Sequence, residues 1–169
     1  MTAEQRRQAI ARRLEGAEGP VPAAALAGEF GVSRQIVVGD VALLRASGAQ
    51  IYATPRGYVS GARQRGTAAA VLACCHAAQD MGRELYAIVD NGGEVVDVIV
   101  EHPVYGQLTG QLNLRSRYDV DEFLKKAQGA SPLSELTGGI HLHTIRCPDG
   151  AALARVTAVL DREGFLLHE

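Results

Sequence analysis

One stretch, Ser60-Gly61-Ala62-Arg63-Gln64-Arg65-Gly66, divides this chain into two parts that differ in hydrophobic period and in charge. Glycine, serine and arginine cluster there with no apolar repeat, the composition of a linker. Before it, apolar residues recur at helical spacing. After it, several short segments alternate apolar and polar, the two-residue period of a half-buried strand. The boundary is placed there, giving a first domain over residues 1–62 and a second over residues 66–169. Residues 1–65 carry nine arginines against five acids, and residues 66–169 carry eight lysines and arginines against fourteen acids. The formal charge of -2 is therefore +4 on one part and -6 on the other. A basic part joined to an acidic one suggests that the first faces a polyanion.

In the first part the spacing predicts three helices and a hairpin. Ala9, Ile10 and Leu14 recur at helical spacing within residues 4–14, and glycines at 16 and 19 end the pattern. Pro22 opens a second helix that runs through Leu26 to Phe30 and stops at Gly31. Ser33 is placed to cap a third helix, which carries Ile36, Val37, Asp40, Leu43 and Leu44 in one amphipathic pattern up to about Ala46. Ile51-Tyr52-Ala53 and Gly57-Tyr58-Val59-Ser60 flank Thr54-Pro55-Arg56, a hairpin pattern.

The string Phe30-Gly31-Val32-Ser33-Arg34-Gln35-Ile36-Val37 is the most specific signal in this part. A glycine turns between two helices, a serine caps the second, and polar side chains fill its first turn, where a recognition helix meets the major groove. Ser33, Arg34, Gln35, Arg45 and Arg56 are the candidate DNA-binding residues. Arg34 and Gln35 have the donors to read guanine and adenine edges. Arg45 and Arg56 are better placed for phosphate. Gly39 inside the third helix costs about 1 kcal/mol against alanine.

The second part alternates strands and helices. Strand patterns cover residues 68–75, 94–101, 107–114 and 139–147, and helix patterns cover 77–89, 120–127 and 149–163. The alanine-rich run at 68–75 also suits a helix. The order β-α-β-β-α-β-α resembles a ferredoxin-like sandwich with a C-terminal helix. The fold class is thus α+β: an N-terminal winged helix-turn-helix followed by an α/β sandwich.

His141 and His143 are two apart in a predicted strand, so their rings share a face. His76 follows the first strand of this part, and Glu84 lies eight residues on, within reach if its helix covers the sheet. Three imidazoles and a carboxylate suit one divalent transition metal per chain, Zn, Ni, Fe or Mn, rather than Mg or Ca. A solvated or hydrogen-bonded histidine pair is the alternative. Cys74, Cys75 and Cys147 are expected as reduced thiols and small core residues, with a thiolate contribution from the Cys74-Cys75 pair left open.

Two resemblances sharpen this. Residues 33–45, with Arg56-Gly57-Tyr58 as the wing, resemble the recognition helix and hairpin of winged-helix bacterial repressors of the biotin-repressor-like type. The segments Cys75-His76, Arg83-Glu84-Leu85-Tyr86, His102-Pro103-Val104-Tyr105-Gly106 and Gly139-Ile140-His141-Leu142-His143-Thr144-Ile145 resemble the three-histidine (3H) small-molecule-binding domain. That domain follows a winged helix in nicotinate-responsive repressors of NAD biosynthesis and niacin uptake. The resemblance spans about residues 5–168. It implies His76, Glu84, His141 and His143 as metal ligands, operator DNA and nicotinic acid or a related pyridine carboxylate as partners, and nicotinate as co-repressor. His102, Tyr105 and Arg117 are the candidate effector-binding residues: His102 either lines the pocket with Tyr105 or orients the turn before Pro103, and Arg117 either pairs with the carboxylate or is solvated.

The expected protein is a homodimeric, non-enzymatic, ligand-responsive repressor. Two recognition helices would read half-sites about one helical turn apart. A metal-sensing repressor and a metal-dependent hydrolase with an accessory DNA-binding domain are the rivals; against the hydrolase, no nucleophile–base constellation is visible and Glu84 as a ligand leaves no evident general base. No apolar run reaches the roughly 20 residues of a membrane span, and the Arg-rich N-terminus lacks the apolar segment of a secretory signal, so a cytoplasmic location without membrane partners is expected.

Overall fold

The computed structural model describes residues 1–61 and 68–168. The chain divides into two compact units, Met1–Gln64 and Arg65–Glu169. The boundary expected between 62 and 66 lies outside the described residues.

The first unit contains α1 (Ala3–Glu15), α2 (Ala23–Phe30), α3 (Arg34–Ala46) and the hairpin β1 (Ile51–Thr54) and β2 (Gly57–Ser60). Thr2 and Gln5 form a reciprocal capping box at the start of α1. Gly31, at φ 63°, closes α2 in the left-handed region, and the Ser33 hydroxyl accepts from the Ile36 amide to start α3. The core gathers Ile10, Leu14, Val21, Leu26, Ala27, Val37, Val41 and Ile51.

The buried face of α3 differs from the expected one. Val37, Asp40 and Val41 are buried, whereas Ile36 and Leu43 are 43% and 56% exposed. At 100° per residue, positions 37, 40, 41 and 44 form one stripe, and 36 and 43 fall beside it. Asp40 therefore points inward, where Arg6 of α1 meets it through Nε at 2.6 Å and Nη2 at 3.3 Å. Between α1 and α2, Val21 exchanges two 2.9 Å backbone hydrogen bonds with Tyr58 of β2. Gly57 permits this approach: its φ is 138°, and a Cβ there would lie 2.4 Å from the Val21 carbonyl.

The second unit contains β3 (Ala68–Cys75), α4 (Met81–Asp90), β4 (Glu94–His102), β5 (Gly106–Leu114), α5 (Arg117–Ala127), β6 (Ile140–Cys147) and α6 (Gly150–Arg162). Short 3-10 turns occupy Ala78–Asp80 and Leu133–Thr137. The single predicted helix at 77–89 is thus a 3-10 turn leading into α4. The helix predicted from 120 begins at Arg117, because Ser116 accepts from the Asp119 amide and caps it.

The α+β class is the expected one, with strands paired antiparallel in the order β3-β6-β4-β5. A ferredoxin-like sandwich centres its first and third strands; here the second and fourth, β4 and β6, are central. The burial of the strands accounts for this order. β6 buries every second residue and β4 buries Val95, Val96, Asp97 and Val100, whereas much of β3 and the first half of β5 stay open, as edge strands do. The alanine-rich β3 is a strand because it pairs with β6 along its whole length, from Ala68↔Cys147 to Cys75↔Ile140, which outweighs helix propensity. Its outer edge is partly covered by the segment after α6, through Cys75 N–H to Phe165 O and Leu167 N–H to Ala73 O, both 2.9 Å. Leu85, Ile88, Val120, Ala152, Val156 and Leu160 of α4, α5 and α6 pack on Val95, Leu112, Leu114 and Ile145 of one sheet face. The opposite face leaves Val71 and Ile140 exposed.

Removing Arg6 strands the buried Asp40 carboxylate with only Arg7, 3.8 Å away. Arg6→Ala should therefore lower the urea midpoint of the full chain clearly, whereas the exposed Arg34→Ala should leave it nearly unchanged; urea unfolding measures both.

Candidate metal centre

Glu84 lies on the inward face of α4 with Leu85 and Ile88, 1% exposed. β6 turns His141 and His143 toward the helices because residues two apart share a face. His76 follows β3, whose last residue pairs with Ile140. These elements bring three imidazoles onto one carboxylate. Nε2 lies within 2.6 Å of a Glu84 oxygen for His76, 3.0 Å for His141 and 3.3 Å for His143. The His141 ring stands edge-on to both others, each centroid 4.8 Å away.

The opposite nitrogens are held as consistently. Nδ1 lies 2.8 Å from the Ala77 carbonyl for His76, 2.8 Å from the Gly139 carbonyl for His141 and 2.6 Å from the Asp97 carbonyl for His143. A carbonyl only accepts, so each Nδ1 carries the hydrogen, and a neutral ring aims its Nε2 lone pair at Glu84. Lone pairs facing a carboxylate repel it, so this buried group requires protons or a cation between the rings and Glu84. Full protonation would set three imidazoliums against one carboxylate. A divalent cation beside Glu84 would meet imidazole lone pairs with the rings neutral, and main-chain carbonyls are the usual outer partners of metal-binding histidines. The residues therefore fit a transition-metal ion, with His76, Glu84, His141 and His143 as the side chains to hold it.

The charges respond accordingly. Burial pulls the His76 and His143 imidazoles down, but the hydrogen bond and charge of Glu84 outweigh it and hold both above the ordinary value. Burial pushes Glu84 up, and the hydrogen bonds from His141, His143 and His76 more than reverse this, leaving it well below the carboxylate range.

Several residues that shape the cluster had not been singled out. β4 shifts register against both neighbours between Val95 and Ile99, and this bulge turns the Asp97 carbonyl toward His143. The Asp97 carboxylate takes the Thr144 amide at 2.9 Å and hydroxyl at 3.0 Å. A buried aspartate within Val95-Val96-Asp97-Val98 was the available signal. Gly139, at φ 95°, leaves no room for a Cβ, which would meet the His76 carbonyl at 2.5 Å. Phe165 lays its ring edgewise on His76, centroids 5.4 Å apart. Cys74, fully buried, has its sulfur within 4.8 Å of Glu84 and His141 ligand atoms. Among the described residues all three cysteines are free thiols.

The candidate effector residues form separate groups. His102 Nδ1 accepts from the Val104 and Tyr105 amides at 3.1 and 3.2 Å, organising the β4–β5 turn, and its ring lies 4.9 Å from that of Tyr105. Arg117 forms a two-pronged ion pair with Asp90 at 2.8 and 2.7 Å and stacks over Tyr86. In the first unit, Arg34 and Gln35 are exposed on the opening turn of α3 and Arg45 on its last, while Arg56 lies in the β1–β2 turn. Ser33 is the cap of α3.

Residues 69–169 match the 3H domain family and residues 6–59 an HTH domain family. The chain is 44% identical over 168 residues to the probable transcription repressor NiaR of Thermotoga maritima, covering 98% of this chain and 95% of that one. It is 38% identical over 169 residues to the transcription repressor NadR of Bacillus subtilis, covering 97% and 94%. Among the described residues, no helix is long and apolar enough to cross a membrane.

Raised imidazole values make the metal-free protein sensitive to alkali. The stabilisation from His76 and His143 is complete below the unfolded value of about 6.5 and is lost as pH rises through the higher folded values. Melting temperature in chelator should fall as pH rises above about 6.5, and zinc should flatten that decline by replacing the protons; scanning calorimetry reads both curves.

Proposed function

The chain belongs to the 3H-domain family, and from that membership we propose a ligand-responsive transcription repressor that binds operator DNA through its helix-turn-helix, and a divalent transition metal and nicotinic acid, or a related pyridine carboxylate, through its second unit. The observation that carries the metal reading is the convergence of three Nε2 atoms on Glu84 while main-chain carbonyls hold every Nδ1. The two repressors named above support the regulatory reading. Glu84 is enclosed by all three imidazoles and would itself be a metal ligand, which argues against its service as a hydrolytic base.

Each set of residues has a distinct task in this reading. Arg34 and Gln35 reach base edges from the first turn of α3, and Arg45 and Arg56 hold phosphates. His76, Glu84, His141 and His143 hold the metal. Bound there, a cation with an open position would accept the carboxylate or ring nitrogen of the effector. His102 and Tyr105 line the effector's approach, and Arg117 would have to exchange Asp90 for the ligand carboxylate. The effector shifts DNA affinity only by binding one arrangement of the protein better than another. A homodimer presents two α3 helices to two half-sites about one helical turn apart.

Fluorescence anisotropy with metal-loaded protein and operator DNA tests the whole reading. Nicotinate should tighten operator binding by about 5- to 150-fold, and His141→Ala with His143→Ala should abolish both this response and the bound metal in elemental analysis. Metal alone switching affinity, with nicotinate inert, would make the ion the effector. Arg34→Ala should weaken specific binding by about 1–3 kcal/mol and relax sequence preference at one base pair, while Arg56→Ala lowers affinity for all sequences alike.

A further inference from the structure

The metal reading leaves the charge of the buried centre unbalanced. A divalent cation, three neutral imidazoles and the Glu84 carboxylate sum to one positive charge, and burying an uncompensated charge is costly. The other carboxylates that act on these imidazoles are committed elsewhere: Asp97 to Thr144, and Asp80 to Arg83 at 3.1 Å. One more ionisable group faces the cluster. Cys74 sits directly opposite His141 in the β3–β6 register, on the same sheet face. Directly opposed residues bring their Cβ atoms to about 4.5–5.5 Å. Cys74 is completely buried. Its sulfur, a Glu84 oxygen and a His141 nitrogen all lie within 4.8 Å of one another. Donors around one cation with bonds of 2.0–2.3 Å stand roughly 3.5 Å apart, so a contraction of about 1 Å closes this set.

We propose that Cys74 is a metal ligand, its thiolate joining His76, Glu84, His141 and His143 to give a neutral centre with three nitrogen, one oxygen and one sulfur donors. As the sulfur–metal bond forms, the S–H bond breaks and its proton leaves to solvent. Five protein donors leave one position of an octahedral shell, and the sulfur biases the site toward Zn, Ni or Co over Mn. Cys75, next in a strand, faces the other way. Cys147 lies at the far end of the register, opposite Ala68. The inference rests on the metal reading.

Cobalt titration into the metal-free full-length chain separates the two ideas. Wild type should show visible ligand-field bands together with a near-ultraviolet sulfur-to-cobalt charge-transfer band. Cys74→Ser should keep the former and lose the latter. The double variant Cys75→Ser/Cys147→Ala, with Cys74 its sole thiol, should retain both, so the assignment does not depend on the folding of a Cys74 variant. Zinc affinity of Cys74→Ser should fall by more than about 100-fold, beyond the 10–100-fold typical of an outer partner, with manganese affected far less. Ligand-field bands without charge transfer in wild type would overturn the thiolate and leave the metal reading standing. Loss of the band from the double variant would also overturn it. Failure to bind cobalt at all would overturn both.

Discussion

The buried cluster of the second unit depends on three imidazoles being turned the same way. Each is fixed by a main-chain carbonyl, and each carbonyl is supplied by an irregularity: the exit from β3 at Ala77, the positive-φ turn at Gly139, and the bulge in β4 at Asp97. In regular strands the carbonyls accept from the amides of neighbouring strands, which turns them along the sheet and away from side chains on its face. The site therefore exists because the sheet departs from regularity at these places. Glu84 completes it from a different layer, so α4 must stay docked through Leu85 and Ile88 for the carboxylate to remain among the rings.

Much of this was readable in the residues. The two-residue period of β6 put His141 and His143 on one face, and the eight-residue step from His76 to Glu84 allowed strand exit and helix to meet. The Gly31 turn and Ser33 cap located α2 and α3. The strand order was not readable, because alternation states that a segment is half-buried and is silent about its neighbours; only pairing made β6 central and β5 an edge. Ile36 and Leu43 misled because a short helix offers several apolar stripes, and the Arg6–Asp40 pair, invisible in local pattern, selected one. Asp97 was overlooked for a related reason: its main-chain carbonyl, rather than its side chain, faces the cluster, and backbone direction at a bulge leaves no mark in residue type.

The charge division acquires a physical meaning beside these contacts. The basic first part carries its arginines Arg34 and Arg45 on an exposed helix surface, while Arg6 is spent on holding α1 to α3. The acidic second part includes Glu84, whose charge is buried beneath α4 and enclosed by three imidazoles. Formal charge by sequence thus overstates the field of the second unit. It also overstates that of the first, since each arginine in an ion pair is withdrawn from any polyanion.

The join between Val21 and Tyr58, made possible by Gly57, ties the hairpin to the segment that connects α1 and α2. The proposed reading helix and wing consequently belong to one rigid frame. Such a frame carries the exposed side chains of Arg34, Gln35 and the hairpin tip on backbone that does not depend on their identity. Exchange of such surface side chains would leave the Val21–Tyr58 join intact, because that join is made by main-chain atoms alone.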